Sequence, residues 1–304
     1  MDGAKRKQVI LRGGDTSYVV KPFGLTNFTG AACWYNSLLQ SLLGCEPMLY
    51  FLLKHYDYYK TNPFVKDYCE FAASISSVNN GYKLWGYLAA KKSDITRGQQ
   101  DATEFFTDFI ELFNSKCMMG MFTYITRSTL YFDGISKESE KHMNIVMSLT
   151  PDAMMNLQKH LNVEIEEIEG YKPYDDKEYT TIAHKVTRLT RAPPILVIMI
   201  KNYDFNVYGG TSITSVRSKS FDYPKTLMFN YHTDEYPTIT YNLVSLVEHQ
   251  GRKSMGGGGH YICYSKRGDD LFCFNDAHIG KAVDWPKNNN VYMLLYSTWD
   301  AKTR

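Results

Sequence analysis

The sequence predicts an α+β fold built as one unit, on three observations. Apolar residues recur at helical spacing up to about residue 114. Beyond that point strand-type alternation and β-branched runs take over. No internal repeat and no Pro-, Gly- or Ser-rich linker divides the 304 residues into separate domains.

The elements follow in order. Tyr18, Val19 and Val20 suggest a short strand. A helix is expected from 33 to about 55, with Leu38, Leu39, Leu42, Leu43, Tyr50, Leu52 and Leu53 on one face and Pro47 as a break or kink. A second covers 64–77 (Phe64, Val65, Tyr68, Phe71, Ala72, Ile75) and ends in the turn residues Val78-Asn79-Asn80-Gly81. A third runs over 99–114, where Ala102, Phe105, Phe106, Phe109, Ile110, Leu112 and Phe113 oppose Asp101, Glu104, Asp108 and Glu111. Strands are expected at 121–126, 128–133 and 142–149, then a short helix at 151–161 and an irregular acidic stretch at 163–174. Residues 180–190 alternate as a strand. After Ala192-Pro193-Pro194, the continuous apolar run Ile195–Ile200 reads as a strand buried throughout. A polar loop around Gly209 and Gly210 precedes strands at 238–248, 260–266, 270–274 and 291–298.

Composition narrows the function classes. Hydrophobic residues make up 44% of the chain and charged residues 22%, which excludes a disordered protein. The net charge of +2 comes without the broad basic field of nucleic-acid binders. No apolar run reaches the roughly eighteen residues of a membrane span, and MDGAKRKQ lacks the apolar stretch of a signal peptide. Lys5-Arg6-Lys7 is a solvated basic tail or a weak nuclear signal. The six cysteines (33, 45, 69, 117, 263 and 273) form no C-x-x-C pair and no zinc-spaced Cys/His cluster. They read as reduced thiols of a cytoplasmic or nuclear protein. No metal, cofactor, nucleic acid or membrane is expected, and the chain reads as a monomer.

Residues 24–40 run from a glycine-bearing loop into an amphipathic helix, with Cys33 at the junction. The first amides of a helix lack intrahelical partners and carry the positive end of its dipole. A thiol placed there is expected to have a lowered pKa and to act as a nucleophile; the other reading is a small buried apolar residue. A nucleophilic thiol needs a base, and the base needs an orienting group. Among eight histidines, His260 follows four glycines (256–259) and opens a strand. The next strand ends in Asn275-Asp276, and an Asn or Asp oxygen beside the imidazole would set its tautomer. The remaining histidines, His55, His142, His160, His184, His232, His249 and His278, read as structural, with His278 nearest the Asn-Asp pair.

These residues carry a resemblance to the ubiquitin-specific protease family. The 24–40 stretch resembles its Cys box, G-L-x-N-x-G-N-T-C-Y-x-N-S-x-L-Q. Gly98-Gln99-Gln100-Asp101-Ala102-Thr103-Glu104-Phe105 is similar to its Q-Q-D-A-x-E-F-L box. The strand from Pro193 to Tyr203, the box Tyr241 to His249 followed by Gly259-His260-Tyr261, Phe274-Asn275-Asp276 and Val291 to Tyr296 match further boxes in the family's order. The resemblance implies a papain-like fold of thumb (about 15–116), fingers (about 117–190) and palm (about 191–304). It implies a thiol protease hydrolysing the bond after the C-terminal Gly-Gly of ubiquitin or a ubiquitin-like modifier. It implies Cys33 as nucleophile, His260 as base and then acid, Asn275 as orienting residue and Asp276 as an assisting neighbour. It also implies Asp101, Glu104, Gly259 and Tyr261 as contacts of the modifier tail. Two other readings stay open: a processing protease specific for such tails or for another modifier, and an inactive ubiquitin-binding module.

Two departures from the family pattern are visible. The family's oxyanion Asn stands five residues before the cysteine; here that position is Phe28, and Asn27 stands six before. Either a bulge returns Asn27 to the site or backbone amides act alone. The zinc-binding C-x-x-C pairs of many members are absent, which implies fingers held by strand pairing. Finally, Leu11-Arg12-Gly13-Gly14 in the 1–14 leader spells a ubiquitin tail. Three readings stay open for it: a self-cleavage site at Gly14–Asp15 with 15–304 as the mature catalytic unit, a leader acting as a pseudosubstrate, or coincidence in a solvated tail. Viral proteases of this fold cut after such sequences, which would place the protein in a host cytoplasm.

Overall fold

The computed structural model describes residues 10–11, 18–73, 76, 78–79, 81–96, 100–150, 153–154, 157, 164–174, 180–201, 203–208, 211–216, 222–229, 238–251, 259–287 and 290–298. Its helices among these residues are α1 (Cys33–Leu43), α2 (Glu46–Lys54), α3 (Tyr56–Tyr59), α4 (Pro63–Ala72), α5 (Tyr82–Lys91), α6 (Ala102–Glu111) and α7 (Lys116–Phe122). The single helix expected over 33–55 is thus broken at Gly44-Cys45, and Pro47 opens α2 instead of kinking a longer helix. Proline fits a first turn because its missing N–H has no intrahelical acceptor there. Asn62 caps α4 by accepting from the Phe64 amide at 3.0 Å, and Ser115 caps α7 by accepting from Met118 at 3.2 Å. α7 occupies part of the strand expected at 121–126; its Ser cap and the helix propensity of its methionines favour the helix. α5 was hidden behind the turn signals at 78–81 and its internal Gly86.

Four strands, β5 (Tyr124–Phe132), β6 (Ile135–Asn144), β8 (Glu164–Tyr171) and β9 (Thr181–Arg191), form an antiparallel sheet in the order β6-β5-β9-β8. The β5–β6 turn is Asp133-Gly134, with φ of 48° and 73°, the Asp-Gly pairing that tight hairpins favour. The acidic stretch expected to be irregular is β8. As on many edge strands, the glutamates at 166, 167 and 169 are exposed, and Glu166 lies opposite Lys185 in the register.

The larger sheet has the order β17-β16-β15-β14-β18-β10-β7, with β13 also on β14. Its strands are β7 (Met147–Leu149), β10 (Ile195–Ile200), β13 (Thr226–Phe229), β14 (Ile239–Gln250), β15 (His260–Arg267), β16 (Asp270–Asn275), β17 (His278–Ala282) and β18 (Val291–Ser297). A separate hairpin, β11 (Tyr203–Tyr208) with β12 (Thr211–Val216), flanks the glycines expected to be loop. β1 (Ile10–Leu11) pairs with β2 (Tyr18–Val19), and β3 (Gly24–Leu25) pairs in parallel with β4 (Val78–Asn79). The unbroken apolar run of β10 has a direct cause. Ile195 and Val197 join the core shared with the helices, while Leu196, Ile198 and Ile200 join a second core on the other face. A strand covered on both sides has no use for polar alternation.

α1 lies against β14, β15 and β16, and all eleven of its residues are buried. Its polar side chains therefore need partners inside the protein. The Gln40 amide donates to the Phe23 carbonyl at 2.8 Å and accepts from the Arg267 guanidinium at 2.6 Å. Arg267 donates also to Ser265 and the Lys266 carbonyl, lies 4.6 Å from the Phe274 ring centroid, and is only 5% exposed. Burial lowers its pKa to about 10. This knot fixes one end of α1 on the sheet.

The other end is fixed through β3. The Leu25 amide donates to the Asp276 carbonyl at 2.8 Å, and a Cβ on Gly24 would lie 2.3 Å from the Ala277 carbonyl oxygen. Gly24→Ala must push backbone from backbone. It is expected to cost about 1–3 kcal/mol, read as a lower urea midpoint at unchanged slope. A variant as stable as the parent would show that this contact gives way freely.

Candidate active site

Cys33 is the first residue of α1 and is 3% exposed. Burial pushes its thiol pKa up, and the nearby Asp276 charge adds to this. The backbones of Tyr261, Trp34 and Cys33 itself favour the thiolate but do not offset burial. The helix-start amides pull the pKa down, as the sequence suggests, but burial leaves the net shift upward. The same contacts place the thiol against the backbone of Tyr261, the residue after His260.

β15 and β16 are antiparallel neighbours, with Cys263 opposite Phe274. His260 at the start of one and Asn275 at the end of the other are joined at 2.7 Å between imidazole Nε2 and amide Oδ1. An amide oxygen only accepts, so Nε2 carries the proton and Nδ1 is left as the basic nitrogen.

Asp276, the predicted assisting neighbour, lies against two side-chain amides. Its carboxylate accepts from Asn36 Nδ2 at 2.7 Å through one oxygen and from Asn27 Nδ2 at 3.0 Å through the other. It stands in the left-handed region, with φ 50°, which Asp and Asn tolerate better than other non-glycine residues. Asn27 Oδ1 accepts from the Ala32 amide at 2.9 Å, one residue before Cys33. The longer loop thus does bring Asn27 back to the helix start. The extra length is taken up by a turn in which the Gly30 amide donates to the Asn27 carbonyl at 3.3 Å, with Gly30 at φ 75°.

A second group lies beside this one. Asp101 caps α6, accepting from the amides of Thr103 (2.8 Å) and Glu104 (3.1 Å), and it accepts from the Tyr292 hydroxyl as well. It is a built-in cap, not a freely solvated helix charge. Tyr261 packs its ring on His249 with centroids 4.4 Å apart, and Tyr292 lies 5.6 Å from Tyr261. A Cβ on Gly259 would fall 2.1 Å from His249 Nε2, so glycine is required for this approach. Burial lowers the His249 pKa. Asp101, Gly259 and Tyr261 are therefore gathered together, with His249 and Tyr292 added to the predicted set. Glu104 is instead turned toward Lys92 at 3.4 Å in an ion cluster with Asp108 and Lys91. Gly14 and Asp15 lie outside the described residues. Among the described residues, no three His, Cys, Asp or Glu side chains gather as a metal site, and no helix is long and apolar enough to cross a membrane.

The family model for ubiquitin carboxyl-terminal hydrolase matches residues 23–296. The chain belongs to this family. Among curated relatives, ubiquitin carboxyl-terminal hydrolase 10 of Saccharomyces cerevisiae is 32% identical over 128 residues, covering 41% of this chain and 15% of the relative. The probable hydrolase 16 of Schizosaccharomyces pombe is 24% identical over 90% of this chain and 66% of its own length. The chain thus spans less than two thirds of these two hydrolases. Hydrolase 4 of Arabidopsis thaliana is 22% identical, with 91% and 93% covered. Among solved structures, the SAGA DUB module with Ubp8 bound to monoubiquitin gives a TM-score of 0.74 at 19% identity, covering 93% of this chain and 70% of that one. The same module bound to ubiquitin aldehyde gives 0.72 at 20% identity, covering 91% and 69%. The fold is therefore that of the family's ubiquitin-specific protease catalytic domains.

Proposed function

We propose that this hydrolase-family chain is a thiol protease that cuts after the C-terminal Gly-Gly of ubiquitin. The observation that carries the reading is the 2.7 Å His260–Asn275 bond on the strand whose next residue, Tyr261, touches the Cys33 thiol. His260 Nδ1 takes the Cys33 proton, and the thiolate attacks the carbonyl of the terminal glycine. The Asn27 amide and the helix-start amides meet the oxyanion. The imidazolium then protonates the leaving amine, and water, activated by the same imidazole, releases the acyl group. Gly259, packed on His249, supports a passage too narrow for a side chain and so a tail of two glycines.

The test is labelling with ubiquitin that carries a C-terminal electrophile. One adduct at Cys33, lost in Cys33→Ala, is expected. Labelling only by a different modifier with the same electrophile would move the substrate to that modifier. No adduct with any such probe would leave a ubiquitin-binding module.

A further inference from the structure

The loop before Cys33 is one residue longer than the family pattern, and the side chain of the residue at the family's Asn position has a definite seat. The Phe28 ring stands edge-on to three others: Tyr35 (centroids 6.4 Å, 77°), Tyr82 (5.4 Å, 89°) and Trp85 (5.3 Å, 86°). Tyr35 belongs to α1 and is itself tied to the start of α5 by its hydroxyl, which donates to the Gly81 carbonyl at 2.9 Å. Tyr82 and Trp85 belong to α5. Phe28 therefore clamps the loop to two helices at once. On one side of it Asn27 spans from the Ala32 amide to the Asp276 carboxylate. On the other, Thr29 Oγ1 accepts from the Ala31 amide at 3.0 Å and Gly30 closes the turn onto Asn27.

We infer that Phe28 is a positioning residue: seated on Tyr35, Tyr82 and Trp85, it absorbs the extra loop residue and holds the Asn27 amide at the helix start, where the oxyanion forms. This rests on the hydrolase reading above. An amide nitrogen carries two hydrogens. One meets Asp276, and the other is the donor for the oxyanion. A loop with an additional residue and no anchor would let that donor wander, and displacement of about 1 Å at such a site costs up to about 10²-fold in rate. The ring contacts supply the anchor.

The expected result is that Phe28→Ala lowers kcat on a ubiquitin C-terminal amide by about 10-fold to 100-fold. KM should stay within about twofold, as for a group that acts only in the transition state. Phe28→Tyr, which keeps the ring, recovers most of the loss. In an Asn27→Ala background, Phe28→Ala adds little further loss, because its effect runs through that amide. Losses that multiply, or a change confined to KM, overturn the inference. A second measurement needs no substrate. The Asn27 side-chain amide resonances, assigned by NMR against Asn27→Ala, are expected to move in Phe28→Ala toward those of an exposed asparagine. If they stay in place, the inference fails whatever the activity. If the parent chain cuts no tail substrate, the hydrolase reading fails, and the amide spectrum still decides what Phe28 does.

Discussion

Cys33→Ala is expected to abolish hydrolysis at a Gly-Gly tail while sparing tail binding, and His260→Ala to slow it by about 10⁴-fold or more. The size of the second effect follows from the state of the thiol. Burial outweighs the helix-start amides and leaves the Cys33 pKa raised. At neutral pH a thiol in that state is less ionised than a free cysteine, not more. The nucleophile is then made by proton transfer to His260 Nδ1, which the Asn275 bond leaves basic. The pH dependence of alkylation separates the two contributions. In His260→Ala, reaction of Cys33 with iodoacetamide should rise with pH through a midpoint above that of free cysteine. In the parent, the rise should come at lower pH, because thiolate and imidazolium form together. A profile that His260→Ala does not move would remove His260 as the base and leave the loop amides to account for any reactivity.

Much of this site could be read from the chain because its chemistry is local. A cysteine at a loop-to-helix junction, a histidine opening a strand and an Asn-Asp pair closing the next are short patterns. Adjacent antiparallel strands place His260 and Asn275 side by side. What could not be read is long-range. Asn36 and Asp276 are 240 residues apart, and Gln40 and Arg267 are 227 apart. Nothing in the spacing of Asn36, Ser37 and Gln40 says that a wholly buried helix would need acceptors and donors from the sheet. His249 read as an ordinary structural histidine. Its place beneath Gly259 exists only because β14 and β15 pair with Gln250 opposite His260. In the fold, β10 was legible as an apolar run. β8 was not, since an edge strand facing water can carry four glutamates with no penalty that its sequence would announce.

Asp276→Asn should be as damaging to rate as loss of an oxyanion donor, about 10²–10³-fold in kcat, although Asp276 is not read as donating or removing a proton. Both of its oxygens accept from amide nitrogens, those of Asn27 and Asn36. Replacing the carboxylate by an amide puts an NH2 group against one of these two donors in either orientation. The backbone is not at fault, because asparagine accepts the 50° φ as readily as aspartate does. The variant therefore tests the side chain alone. It should also lose about 1.5–3 kcal/mol of stability, the worth of a hydrogen bond to a charged group. Adding Asn27→Asp reverses the polarity of one contact: the new carboxylate can still accept from the Ala32 amide and now accepts from the new amide. The double variant should regain stability but not rate, since no hydrogen remains at position 27 to meet the oxyanion. Recovery of both would mean that Asp276 holds the loop in place and nothing more. Recovery of stability alone ties the carboxylate to catalysis through the amide it holds.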